Sequence, residues 1–122
     1  MNFKLEKMFR FEAAHQLTQH DGKCRRLHGH SWVVRLVLEG NALATDGPKR
    51  GMLVDYGDVS AAMKPVLEEK LDHHYLNETL PGIYPTSEQL AFWLYHTLKP
   101  SLPLLSAVII EETCTSRCEF KP

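Results

Sequence analysis

The chain has 122 residues, 43% of them hydrophobic, enough for one core of ordinary size and no argument for a second domain, so residues 1–122 are read as a single domain. A formal net charge of −1 excludes wholesale nucleic-acid or membrane-surface binding, which rests on a strong positive excess. Charges at Lys4, Glu6 and Lys7 and the lack of a bilayer-length apolar run point to a soluble, unexported, cytoplasmic protein, and three cysteines fit a reducing compartment better than a disulfide framework.

From Phe3 to His15 the odd positions are Phe3, Leu5, Lys7, Phe9, Phe11, Ala13 and His15, while the even ones include Lys4, Glu6, Arg10 and Glu12. That period of two predicts a half-buried strand whose inner face ends in His15. Residues 16–27 are polar and basic and predict a working loop that carries Cys24. A second alternation places His28, His30, Trp32, Val34, Leu36 and Leu38 on one face of the next strand. Met52–Asp55 reads as a short strand, followed by helical spacing at Val59, Ala62, Met63, Val66, Leu67 and Leu71 with a kink expected at Pro65. Thr86 and Gln89 predict a capping box for a second helix with Leu90, Ala91, Leu94 and Leu98 on its inner stripe. Pro100 and Pro103 end it; Leu104–Glu112 and Cys118–Lys121 read as two further strands. The order ββααββ predicts an α+β fold, a four-stranded antiparallel sheet with two helices on one face. Its open edges predict a cyclic homo-oligomer that pairs them between subunits.

Alternate side chains of a strand share a face, so His28 and His30 can point at one atom while His15 approaches from the neighbouring strand. Three imidazoles suit zinc and leave a position for water or substrate, although the same ligands serve iron, copper or nickel. Gly29 between them is read as giving close access to backbone or ligand. Cys24, flanked by Lys23, Arg25 and Arg26, fits a fourth ligand, a low-pKa base or an idle loop cysteine. Asp72 directly before His73 is a possible acid/base pair, in which a carboxylate fixes the imidazole tautomer. Glu112 falls on the apolar face of its strand and needs either an internal ion pair or a ligand offering paired N–H donors. His20, His74 and His96 are read as structural or surface residues, and Cys114 with Cys118 as packing. Lys23, Arg25, Arg26, Arg35, Arg117 and Lys121 are either scattered solvated charges or a patch for a polyanionic substrate tail.

Phe11-Glu12-Ala13-Ala14-His15, Cys24 through His30, Leu71-Asp72-His73-His74-Tyr75-Leu76-Asn77, Pro85-Thr86-Ser87-Glu88 and Glu111-Glu112-Thr113-Cys114-Thr115 occur in the order found in the 6-pyruvoyltetrahydropterin synthase superfamily. The chain resembles that family over nearly its whole length. Three residues between Cys24 and His28-Gly29-His30 resemble the bacterial branch that forms 6-carboxy-5,6,7,8-tetrahydropterin, for queuosine precursors, more than the pyruvoyl-forming branch. The resemblance implies the tunnelling fold, assembled into oligomeric barrels, commonly hexamers. It implies Zn2+ held by His15, His28 and His30, Cys24 as base, Asp72 and His73 as relay, and Glu112, Thr86 and Ser87 as pterin-binding residues. The implied substrate is 7,8-dihydroneopterin triphosphate, whose side chain is cleaved with release of acetaldehyde and triphosphate. Neither nucleic acid nor membrane is an expected partner.

Overall fold

β1 spans Phe3–His15 in the computed structural model, which describes residues 2–113 and 115–122. β2 is His28–Gly40, β4 Leu105–Glu112 and β5 Ser116–Phe120, and each of these four strands is antiparallel to its neighbour in the order β1-β2-β4-β5. The alternation expected of β1 and β2 is the one observed, with Phe11, Ala13 and His15 of β1 and Trp32, Val34, Leu36 and Leu38 of β2 buried.

One strand goes beyond the four expected. β3, His74–Tyr75, runs parallel to β1 opposite Ala13 and Ala14, making a five-stranded mixed sheet in the order β3-β1-β2-β4-β5. Two residues carry too little periodicity to announce a strand. Because β3 reaches only Ala13 and Ala14, most of the outer edge of β1 has no strand partner among the described residues.

α1, Tyr56–Val66, begins where the Asp55 side chain accepts a hydrogen bond from the Gly57 N–H at 2.8 Å. Met52–Asp55, expected as a strand, is instead a turn and a helix cap. The Gly51 N–H donates to Ala44 O and the Ala44 N–H to Met52 O, and Lys49 holds Asp55 in an ion pair. Pro65 lies inside α1, and just beyond it Leu67–Leu71 widens into a π-turn closed by the Asp72 N–H on Leu67 O at 2.8 Å. Proline lacks the N–H and crowds the carbonyl four residues back, so the regular ladder breaks here. A short α2, Leu76–Thr79, follows β3.

α3, Ser87–Leu98, buries Leu90, Ala91, Leu94, Tyr95 and Leu98. Thr86 Oγ1 accepts from the Gln89 N–H at 3.1 Å, but the Thr86 N–H is taken by Tyr84 O, so the cap forms without the reciprocal half of a capping box. α1 and α3 pack on the sheet face carrying Phe11, Trp32, Val34, Leu36, Val108 and Ile110; Val37, Ala107 and Ile109 form a separate cluster. Thr86→Ala is expected to lower the unfolding free energy by about 1 kcal/mol in urea titration, and Thr86→Ser to retain most of the cap.

Candidate metal centre and its surroundings

Register alone brings the centre together. His15 pairs with His28, Ala13 with His30, and Phe11 and Glu112 lie on either side of Trp32. Paired residues share a face, so His15, His28, His30 and Glu112 all project from the core side at the same end of the sheet. One ligand atom from each of the four lies within 4.8 Å of the others, and the three imidazole centroids are 4.5, 5.0 and 4.6 Å apart.

Main-chain carbonyls orient two of the rings. His15, only 1% exposed, directs Nδ1 at Pro85 O, 2.8 Å away, and His28 directs Nδ1 at Arg26 O, 2.6 Å away. A carbonyl only accepts, so Nδ1 carries the hydrogen in both rings and Nε2 is left with a lone pair. Pro85 immediately precedes the α3 cap, which ties the buried ligand to the helix start.

Glu112 Oε1 lies 3.3 Å from His15 Nε2 and 2.9 Å from His30 Nε2. These are ion-pair distances without hydrogen-bond alignment, since both Nε2 atoms are buried and lack a hydrogen-bond partner. The contact with His15, then the charges of His30 and His28, hold the Glu112 carboxyl below its ordinary value against the effect of burial. Two orphaned nitrogens and an ionised carboxylate converging on one point could hold a divalent cation, and three histidines with space for a fourth ligand are a donor set compatible with zinc. Of the two partners foreseen for Glu112, the structure sets the imidazoles of His15 and His30 beside it, with no N–H from His15 Nε2 to compensate it.

Asp72 and His73 sit at the β1 edge. Asp72 Oδ1 accepts from the Glu12 N–H at 2.9 Å, the His73 N–H donates to Glu12 O at 2.6 Å, and His73 Nδ1 lies 3.1 Å from Asp72 Oδ2. The Glu12 N–H is the main reason the Asp72 carboxyl lies below its ordinary value, with His73 adding to it. His73 adopts φ 61° and Thr113 φ 56°, the only positive values outside glycine among the described residues; each directly follows a site carboxylate. Left-handed backbone at a threonine or histidine is strained and persists where surrounding contacts fix it. His30 and His73 line the same open cavity of about 540 Å³, bounded also by Glu12, Ser31 and Tyr75. Another cavity, of about 350 Å³ beside Phe3, Leu5 and Leu53, is mainly apolar and lies at the far end of β1.

Cys24, half-buried on a single 3₁₀ turn at Lys23–Arg25, is not among the four clustered residues. No hydrogen bond links it to Asp72 or His73 among the described residues. Thr86 is engaged as the α3 cap through its acceptor, which leaves its O–H free to donate, and Ser87 Oγ is 3.0 Å from Glu88 Oε1. A Cβ on Gly29 would meet only Ala13 O at 3.9 Å, so the fold itself does not demand glycine there. Of the six basic residues weighed as scattered charges or a patch, Arg35 is bonded to Glu111 at 3.0 Å. His20 accepts from the Gly22 N–H, His74 bonds Glu68 O and His96 packs at a tilt against Phe92, all outside the centre. Cys114 lies outside the described residues; burial, with Glu88 nearby, pushes the Cys118 thiol up.

A profile described as 6-pyruvoyl tetrahydropterin synthase matches residues 4–122. The chain belongs to that family. It is 44% identical to the 6-carboxy-5,6,7,8-tetrahydropterin synthase of Synechocystis over 93% of this chain and 89% of that protein. Against the enzyme of the same name from Bacillus subtilis the identity is 28%, over 99% of this chain and 86% of the other. The solved 6-pyruvoyl tetrahydropterin synthase of Caenorhabditis elegans superposes with a TM-score of 0.85 at 28% identity, covering 100% of this chain and 96% of that one.

Burial, aided by His15 and His28 and opposed by Glu112, pushes the His30 imidazole below its ordinary value of 6.5. The unfolded chain then takes up this proton first, so the metal-free fold loses stability as pH falls below 6.5, until native His30 is itself protonated. In chelator-treated protein the urea midpoint is expected to fall between about pH 7.5 and about pH 5.5, and His30→Asn to flatten that slope.

Proposed function

We infer that this chain is a 6-carboxy-5,6,7,8-tetrahydropterin synthase: a lyase that converts 7,8-dihydroneopterin triphosphate into 6-carboxy-5,6,7,8-tetrahydropterin, acetaldehyde and triphosphate, supplying queuosine precursors. The observation that carries the reading is the convergence of His15, His28 and His30, of which His30 lines a cavity together with His73. The 44% identity to the Synechocystis enzyme and the three-residue interval from Cys24 to His28 favour the carboxy-forming reaction over the pyruvoyl-forming one.

His15, His28 and His30 are the residues that would hold zinc. Bound there, the ion supplies Lewis-acid polarisation of the substrate's side-chain hydroxyls. Cys24 acts as the base that removes a carbon-bound proton, and His73, oriented by Asp72, returns one elsewhere. Glu112 engages the imidazoles through Oε1, which leaves Oε2 for the N–H donors of the pterin's aminopyrimidinone edge. Thr86 and Ser87 help to hold the pterin, Thr86 through its free O–H. The unpaired edge of β1 supports assembly into a cyclic homo-oligomer, a hexamer in this reading. No described helix is long and apolar enough to cross a membrane, and we place the enzyme in the cytoplasm.

Incubation of the zinc-loaded protein with 7,8-dihydroneopterin triphosphate tests the reading by product mass. A 6-carboxypterin with acetaldehyde is expected; a retained three-carbon side chain assigns the pyruvoyl-forming reaction instead. Cys24→Ala is expected to keep its zinc and lose at least about 100-fold in turnover, the scale of a lost general base. Loss of zinc and of folding stability in that variant identifies the thiol as a structural ligand.

A further inference from the structure

We propose that Gln16 is a positioning residue that clamps the Cys24 turn to the metal-bearing strand and to the segment carrying Asp72 and His73. Gln16 directly follows the buried ligand His15, and its whole amide is engaged. Its Nε2 donates to Arg25 O at 2.9 Å, and its Oε1 accepts from Tyr75 OH at 3.2 Å. Arg25 O can only accept, which fixes the amide in this orientation. The Gln16 main chain is held on both sides by one partner, its N–H donating to Asn77 Oδ1 at 2.9 Å and its carbonyl accepting from Asn77 Nδ2 at 2.8 Å. Gln16 therefore cannot shift independently of Tyr75 and Asn77, which follow His73 on β3 and α2.

On the turn, three successive carbonyls each meet an anchor. Cys24 O accepts from the Leu17 N–H at 2.8 Å, Arg25 O from Gln16, and Arg26 O from His28 Nδ1 at 2.6 Å. The Gln16 side chain makes the middle contact, between the carbonyl of the thiol-bearing residue and the one that orients a metal ligand. Without it the turn is held only by its two end contacts, which then open more often. The hydrogen bonds of Gln16 go to Arg25, Tyr75 and Asn77, so it acts on the thiol and on His28 through the backbone of the turn.

The test is the rate at which iodoacetamide alkylates Cys24 in the zinc-loaded protein, followed peptide by peptide, with half-buried Cys118 as the internal reference. Gln16→Ala is expected to raise the Cys24 rate about two- to tenfold, the effect of one hydrogen bond on an opening equilibrium, and to leave Cys118 unchanged. Gln16→Glu preserves size and the acceptor for Tyr75 OH but sets an oxygen against Arg25 O, so it is expected to release the turn as well. Amide exchange at Leu17 should quicken in both variants while α3 exchanges at the wild-type rate. An unchanged or lower Cys24 rate, or an equal rise at Cys118, overturns the proposal. The role of Cys24 in turnover rests on the proposed function; labelling and exchange read the clamp whether or not that reaction occurs.

Discussion

Strand register is the constraint on which the rest depends. In an antiparallel ladder a slip of one residue turns every side chain of a strand to the opposite face. Here the pairing of His15 with His28, and of Trp32 with both Phe11 and Glu112, places three imidazoles and a carboxylate at one end of the core face. The same register stacks Phe11 on Trp32, with ring centroids 5.8 Å apart, and buries the rest of that face under α1 and α3. Hydrophobic burial thus enforces the alignment of the four side chains that could hold a metal ion. Since the interior penalises the uncompensated polar atoms of His15 and His30, the packing that is best for the core leaves a cation's worth of unsatisfied donors beside it.

Around this centre, contacts to main-chain atoms recur. Pro85 O and Arg26 O set the tautomers of His15 and His28, and Glu12 contributes both its N–H and its carbonyl to the Asp72-His73 corner. The π-turn after Pro65 ends on Asp72, and the backbone turns left-handed at His73 before rejoining β1 as β3. The metal donors and the Asp72-His73 pair are therefore built on the same stretch of β1, from opposite sides of it.

What could be read from the sequence followed from periodicity and spacing. The alternation from Phe3 to His15 and from His28 to Leu38 gave the strands, their inner face and the three imidazoles, and the Thr86 cap gave the start of α3. β3 and α2 span two and four residues, too few for a period to show. Met52–Asp55 looks extended because it is apolar, but an Asp55 cap and turn hydrogen bonds decide its conformation. Gln16, Tyr75 and Asn77 carry no signal as isolated polar residues; their significance is the meeting of two segments about 60 residues apart in the chain. The partner of Glu112 was foreseen only as a requirement, because the need for compensation follows from burial whereas the identity of the compensating group follows from register.

The carbonyls that orient His15 and His28 belong to the peptide unit, and any amino acid at positions 26 and 85 presents the same oxygen. Side chains around the ligands can therefore be exchanged while the rings stay aimed. An alteration of the surface around the cluster thus need not disturb the geometry at its centre.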